Sequence, residues 1–190
     1  MSRILSPDTP LFWLAARAWG VVAYVALTLE VLLGLSATTG LLDRALGRAR
    51  VLELHRWLSA VGVGAVVLHA AVLLLDRTAG LTLADVAIPF WGRYRPFAVG
   101  LGILAAYAVV TIHLSFLFRA LLGRRLWRGL HAVAFFVFAS MTLHGVLAGT
   151  DTPLLGMKLL YGAATLSVTW LVFLRLFLHL TRHLPASTRG

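Results

Sequence analysis

Four histidines lie inside long apolar runs as two matched pairs. One run reads LHRWLSAVGVGAVVLHA, with His55 and His69 separated by 14 positions; another reads LHAVAFFVFASMTLHG, with His131 and His144 separated by 13. Ionisable residues within a lipid-spanning segment are rare and usually functional. On a helix each separation carries the second imidazole roughly 20 Å beyond the first, at 1.5 Å per residue. Two helices running in the same direction would set His55 against His131 at one depth and His69 against His144 at another. A haem iron with two axial imidazoles needs that arrangement, one ligand on either face of a flat macrocycle. The four residues are therefore candidate ligands of two haem irons. Any one of them alone could instead be an interhelical hydrogen-bond partner, but matched separations on two helices favour ligation. Zinc and copper are poor rivals, since zinc wants about four ligands at one point and each depth offers two.

The helical phase supports one helix better than the other. At about 100° per residue, 14 positions return to within ~40° of the starting face, whereas 13 end ~140° away. The helix carrying His131 and His144 is thus expected to be distorted, between Phe135 and Thr142. On the other helix Gly62 lies seven positions from both His55 and His69. It is expected to clear side-chain bulk where the macrocycles would press, with Gly64 adding room nearby.

The elements that must position these residues follow from composition. The chain has 190 residues, 60% hydrophobic and 13% charged, against about 45–50% apolar and about 25% charged in a soluble domain. Lipid is the fitting solvent. A helix needs about 20 apolar residues to cross the hydrocarbon, and five such runs occur, at about 11–38, 52–75, 97–117, 126–148 and 155–178. The expected fold is one all-α, multi-pass membrane bundle of about five helices, forming a single domain over 1–190. The apolar segment 81–91 is too short to span; with the following GRYRP it reads as an interfacial element on the outer surface. Arg17 and Glu30 inside the first run argue against a cleaved leader. There are no cysteines, which excludes disulfides, thiolate metal sites and iron–sulfur ligation.

The net charge of +10 lies between the apolar runs, where membrane topology explains it and nucleic-acid binding is not expected. Eleven arginines, from Arg44 to Arg189, fall on the side holding the first and third connections and the C-terminus; six basic residues fall on the other. By the positive-inside rule the richer side faces the cytoplasm. The N-terminus is then out, the C-terminus in, and the second and fourth spans run parallel, from inside to outside.

LHRWLSAVGVGAVVLH followed by LHAVAFFVFASMTLHGVLAGTDT resembles the ferric-reductase-like transmembrane domain superfamily. That superfamily holds the membrane haem b domain of ferric reductases and NADPH oxidases, and the haem subunit of the periplasmic methionine sulfoxide reductase system. The first run, RAWGVVAYVALTLEVLLGL, matches its style. The resemblance implies two haem b groups, each held by two histidines, carrying electrons outward through the bacterial inner or cell membrane. The chain departs from the best-known members in having about five spans rather than six. It also lacks their FAD and NAD(P)H domain, with no G-x-G-x-x-G. A separate electron donor, a flavoprotein or a quinol, and a separate outer acceptor are therefore expected. The rival reading is a haem-free membrane protein, a small transporter or an assembly scaffold.

Other residues carry lesser expectations. Arg56, beside His55, and Arg128, one turn before His131, are candidates to pair with inner propionates; ordinary headgroup arginine is the alternative. Arg17, in the outer part of the first span with no acid nearby in sequence, is a candidate for an outer propionate. Arg93 and Arg95 could reach the same group or an anionic acceptor, with interface anchoring the plainer role. Glu30 is the one acid well inside a span, able to pair with an arginine or carry a proton. His113 is either a spare ligand or a hydrogen-bonded core residue. His179 and His183, four apart, could bind a metal or simply form an interfacial face.

Overall fold

The computed structural model describes residues 11–76 and 79–182. Within them the chain is helical and multi-pass, and five helical stretches are long and apolar enough to cross a membrane. Four are continuous: α1 (Leu11–Thr39), α3 (Arg48–Leu75), α5 (Pro96–Ser115) and α8 (Leu155–Arg182). The remaining span is built from α6 (Arg119–Ala132) and α7 (Ala134–Ala148). Two short helices, α2 (Asp43–Leu46) and α4 (Leu83–Ala87), lie in connections.

Local chemistry sets the breaks. Gly47 has φ +75°, where a side chain is disfavoured, and the chain turns there from α2 into α3. α4 sits inside the segment expected to be interfacial. Its start is a reciprocal cap, with Thr82 accepting from the Asp85 amide and Asp85 accepting from the Thr82 amide. Pro96 occupies the first turn of α5, where its missing N–H is harmless. Gly123, at φ 70° and ψ 160°, interrupts α6, so the regular stretch leading to His131 begins after it.

The expected span limits hold at the start of α1 and the ends of α3 and α7. α3 starts four residues earlier than expected, while the regular helix of the fourth span begins just after Gly123, close to the expected start near 126. Arginine-bearing turns continue as helix beyond the apolar run, because an ammonium or guanidinium can reach the headgroups from there. The expected distortion in the fourth span is present but displaced. It falls at Val133, two residues before the expected segment, where the amide donates to the Leu130 carbonyl at 3.1 Å in a tightened turn. A three-residue turn advances the phase by about 20° more per residue than an α-helix, the direction in which a 13-residue separation needs correcting.

α1 packs along α3, α5 packs along α7, and α8 packs on α1. A buried cluster joins the two pairs, with Tyr24, Leu27 and Leu35 from α1, Val109 from α5, Val137 and Phe138 from α7, and Val168 and Leu171 from α8. Large apolar side chains cover the outside as well: Leu121 is 85% and Leu166 73% exposed. In water that surface would be an aggregation hazard; in lipid it is the contact surface.

Candidate cofactor site between two helix pairs

The four intramembrane histidines meet in the two expected pairs. His55 and His131 face each other with ring centroids 6.0 Å apart and planes at 69°; His69 and His144 do so at 6.3 Å and 79°. Both sequence numbers rise together, so α3 runs parallel to α6 and α7. Along α3 the two levels are about 21 Å apart. In both pairs the rings meet edge to face. Two metal–imidazole bonds of about 2 Å, with a further ~1 Å from nitrogen to ring centre on either side, span about 6 Å. Each pair has the spacing at which its two imidazoles could hold one metal ion between them. Among the described residues no three His, Cys, Asp or Glu side chains converge as a metal cage.

The rings are held in one tautomer. His69 Nδ1 donates to the Ala16 carbonyl at 2.7 Å, His55 Nδ1 to the Glu30 carbonyl at 2.9 Å, and His144 Nδ1 to the Ala98 carbonyl at 2.9 Å. A carbonyl only accepts, so each Nδ1 carries the proton and Nε2 keeps its lone pair for a ligand bond. α1 supplies two of the three carbonyls, to residues at opposite ends of α3, and so runs antiparallel to it. His131 is placed differently, stacked on Trp127 at 5.2 Å and 22°.

Three glycines make room for these rings. A Cβ added at Gly20 would lie 3.1 Å from His69 Nδ1, one at Gly34 3.2 Å from His55 Cε1, and one at Gly102 2.5 Å from His144 Nδ1. Sequence reasoning missed all three. A signal was available: Gly20 and Gly34 are 14 apart, the same separation as His55 and His69.

Between the two levels, polar ties cross the seams. Tyr24 of α1 and Thr142 of α7 share a hydrogen bond at 3.3 Å, and Ser59 of α3 meets His113 Nδ1 of α5 at 3.1 Å. His113 therefore has a hydrogen-bonded role. Glu30 turns its side chain to Ser59 while its carbonyl holds His55. Around the His69–His144 pair lies a cavity of about 260 Å³, bordered by Arg17, Tyr24, Asp151 and Tyr161 as well as the two histidines.

The other candidate residues have distinct surroundings. Gly62 does not face the gap between the rings. A Cβ there would fall 2.5 Å from Leu27 Cδ2, so its lack of a side chain lets α1 close on α3. Arg17 does have an acid beside it, Asp151, reached through Nε at 2.7 Å and also through Nη2. A ligand carboxylate would have to share or displace that partner. Arg95 donates to the Leu147 carbonyl and Tyr94 to that of Ala148, tying the loop between α4 and α5 to the C-terminal end of α7. Arg56 and Arg128 are exposed, and neither forms an ion pair among the described residues. Arg175 of α8, not singled out in the sequence, is within electrostatic reach of His131. His179 is exposed, and His183 lies outside the described residues.

No protein-family model matches this chain, and no curated protein or solved structure matches it significantly.

Proposed function

We propose that the chain is a transmembrane b-type cytochrome of the ferric-reductase-like kind, moving electrons across the membrane through two stacked haems to an outer acceptor. The observation that carries this reading is the double pairing of His55 with His131 and His69 with His144, at 6.0 and 6.3 Å. One such gap could arise from packing. Two, with three of the four rings fixed as Nδ1–H tautomers by backbone carbonyls, match the demands of axial ligation at both depths.

Bound haem would supply one-electron chemistry, and two imidazoles on each iron leave no open coordination position for substrate. The chain's own part is to hold the four nitrogens at two depths, exclude water with the Tyr24–Leu27–Phe138 cluster, and keep the outer cavity open toward Arg17 and Asp151. The donor, a flavoprotein or a quinol, and the acceptor are separate molecules on this reading. The bilayer of a bacterial inner or cell membrane is the proposed setting.

Haem content decides the question. Protein purified from cells supplied with haem precursors should carry two low-spin b haems per chain. His69→Ala and His144→Ala should each leave one haem, as should His55→Ala and His131→Ala, with the retained spectrum differing between the two pairs. A stable, colourless protein that takes up no added haemin would overturn the proposal in favour of a haem-free transporter or scaffold.

A further inference from the structure

Resting on that reading, we propose that Gly20, Gly34 and Gly102 are positioning residues for three of the four axial imidazoles. Each acts with the carbonyl four positions before it. The same construction occurs three times: Ala16 and Gly20 hold His69, Glu30 and Gly34 hold His55, and Ala98 and Gly102 hold His144. It appears on two different helices and serves both depths.

The physical reason lies in the helix itself. The carbonyl of residue i already accepts the amide of residue i+4, and only its second lone pair is free for an imidazole. A ring approaching that lone pair from a neighbouring helix passes over residue i+4. A methyl group there would stand 3.1 Å from His69 Nδ1, 3.2 Å from His55 Cε1 and 2.5 Å from His144 Nδ1. Other helical glycines meet no imidazole: a Cβ at Gly62, Gly100 or Gly145 would press on Leu27, Phe90 or Tyr161, and one at Gly64, Gly129, Gly156 or Gly162 meets nothing within 4 Å. The three positions are thus set apart from the rest by what they touch.

The consequence is electronic as well as steric. An Nδ1–H bond to a carbonyl fixes the tautomer and strengthens the imidazole as a donor to iron, and losing such a partner typically costs 10–100-fold in metal affinity. A stronger donor favours ferric over ferrous iron. Removing the bond should therefore raise the reduction potential of the haem concerned and leave the other unmoved.

Spectroelectrochemical titration of the holoprotein in detergent tests this, with the two haems assigned from the His55→Ala and His69→Ala variants. Gly34→Ala should raise the inner potential alone; Gly20→Ala and Gly102→Ala should raise the outer alone, Gly102→Ala by more. A tenfold preferential loss of ferric affinity reads as about 59 mV for one electron. Gly156→Ala, on α8, where a Cβ meets nothing within 4 Å, should shift neither. If Gly102→Ala fails to fold, Gly20→Ala, the milder intrusion, carries the outer test. The inference is overturned if Gly20→Ala and Gly34→Ala titrate like wild type, or if either shifts both haems equally. Wild-type protein without haem would overturn the cytochrome reading itself, whereas two haems with unresponsive glycine variants would overturn this inference alone.

Discussion

Arg17 and Asp151, 134 positions apart in sequence, form a two-pronged ion pair at the border of the outer cavity. One partner comes from the N-terminal half of α1 and the other from the turn between α7 and α8. The contact therefore fastens the first helix to the last connection, next to the His69–His144 pair. Exposed ion pairs contribute about 0–1 kcal/mol and breaking buried ones costs about 3–5. This pair, with side chains 34% and 22% exposed, belongs between. Arg17→Gln and Asp151→Asn should each lower stability by about 1–2 kcal/mol, and the double variant should cost less than the sum. Thermal unfolding in detergent measures all three; strict additivity would show that the two side chains are not coupled.

Gly62 and Leu27 make a second, purely steric prediction. A methyl at Gly62 would press on Leu27 Cδ2 at 2.5 Å, and overpacking of this kind costs about 1–3 kcal/mol. Because α1 carries the carbonyl partners of both His55 and His69, Gly62→Ala should perturb both histidine pairs together. Adding Leu27→Ala should restore much of the loss. Thermal unfolding and the absorption spectrum of the single and double variants check this, and failure of the rescue would locate the damage elsewhere.

His113 separates a ligand from a tie. Its hydrogen bond to Ser59 gives it a structural task, and interhelical bonds of this type within a membrane contribute about 0.6 kcal/mol on average. His113→Leu should retain the full complement of bound haem with a small drop in thermal stability. Ser59→Ala should behave alike. Loss of a haem from His113→Leu would make it a ligand after all.

Asp85 carries the pH dependence of the outer segment. Its hydrogen bonds from the Thr82 hydroxyl and amide hold its carboxyl below the ordinary range, with Arg93 adding a smaller favourable charge. A folded value below the unfolded one means the stabilisation is fully present above the unfolded value, near 3.9. It is lost as pH falls through the lower, folded value. At neutral pH the cap is intact. Acidification below about pH 4 should loosen α4, seen as faster amide exchange over residues 82–88. Asp85→Asn should already exchange faster at pH 7 and show no further acid step.

Much of this molecule is legible in its sequence because lipid imposes a simple rule, a length of apolar chain, and the five spans obey it. The histidine pairs were equally accessible: 14 and 13 positions translate directly into matched depths. The missing part depends on which helices become neighbours. Nothing near Arg17 in the sequence points to Asp151, since the turn that brings it there closes the bundle from the other end. Gly62 reads as space for a ligand until Leu27 is found filling it. Gly20, Gly34 and Gly102 acquire meaning only once a ring from another helix lies over each. The break at Val133 was inferred from angular mismatch, but its site was not, because the mismatch constrains the total rotation and not the residue that absorbs it.

That break divides one span between two histidines. With a single tightened turn at Val133 between α6 and α7, His131 and His144 sit on successive helical segments. α6 bears Arg124, Arg125 and Arg128 on exposed positions at the end nearest His131. α7 and its His144 are tied to α5 through the Ala98 carbonyl and to the preceding loop through Tyr94 and Arg95, whereas His131 leans on Trp127 of its own helix, so the two imidazoles of one span are secured by different neighbours.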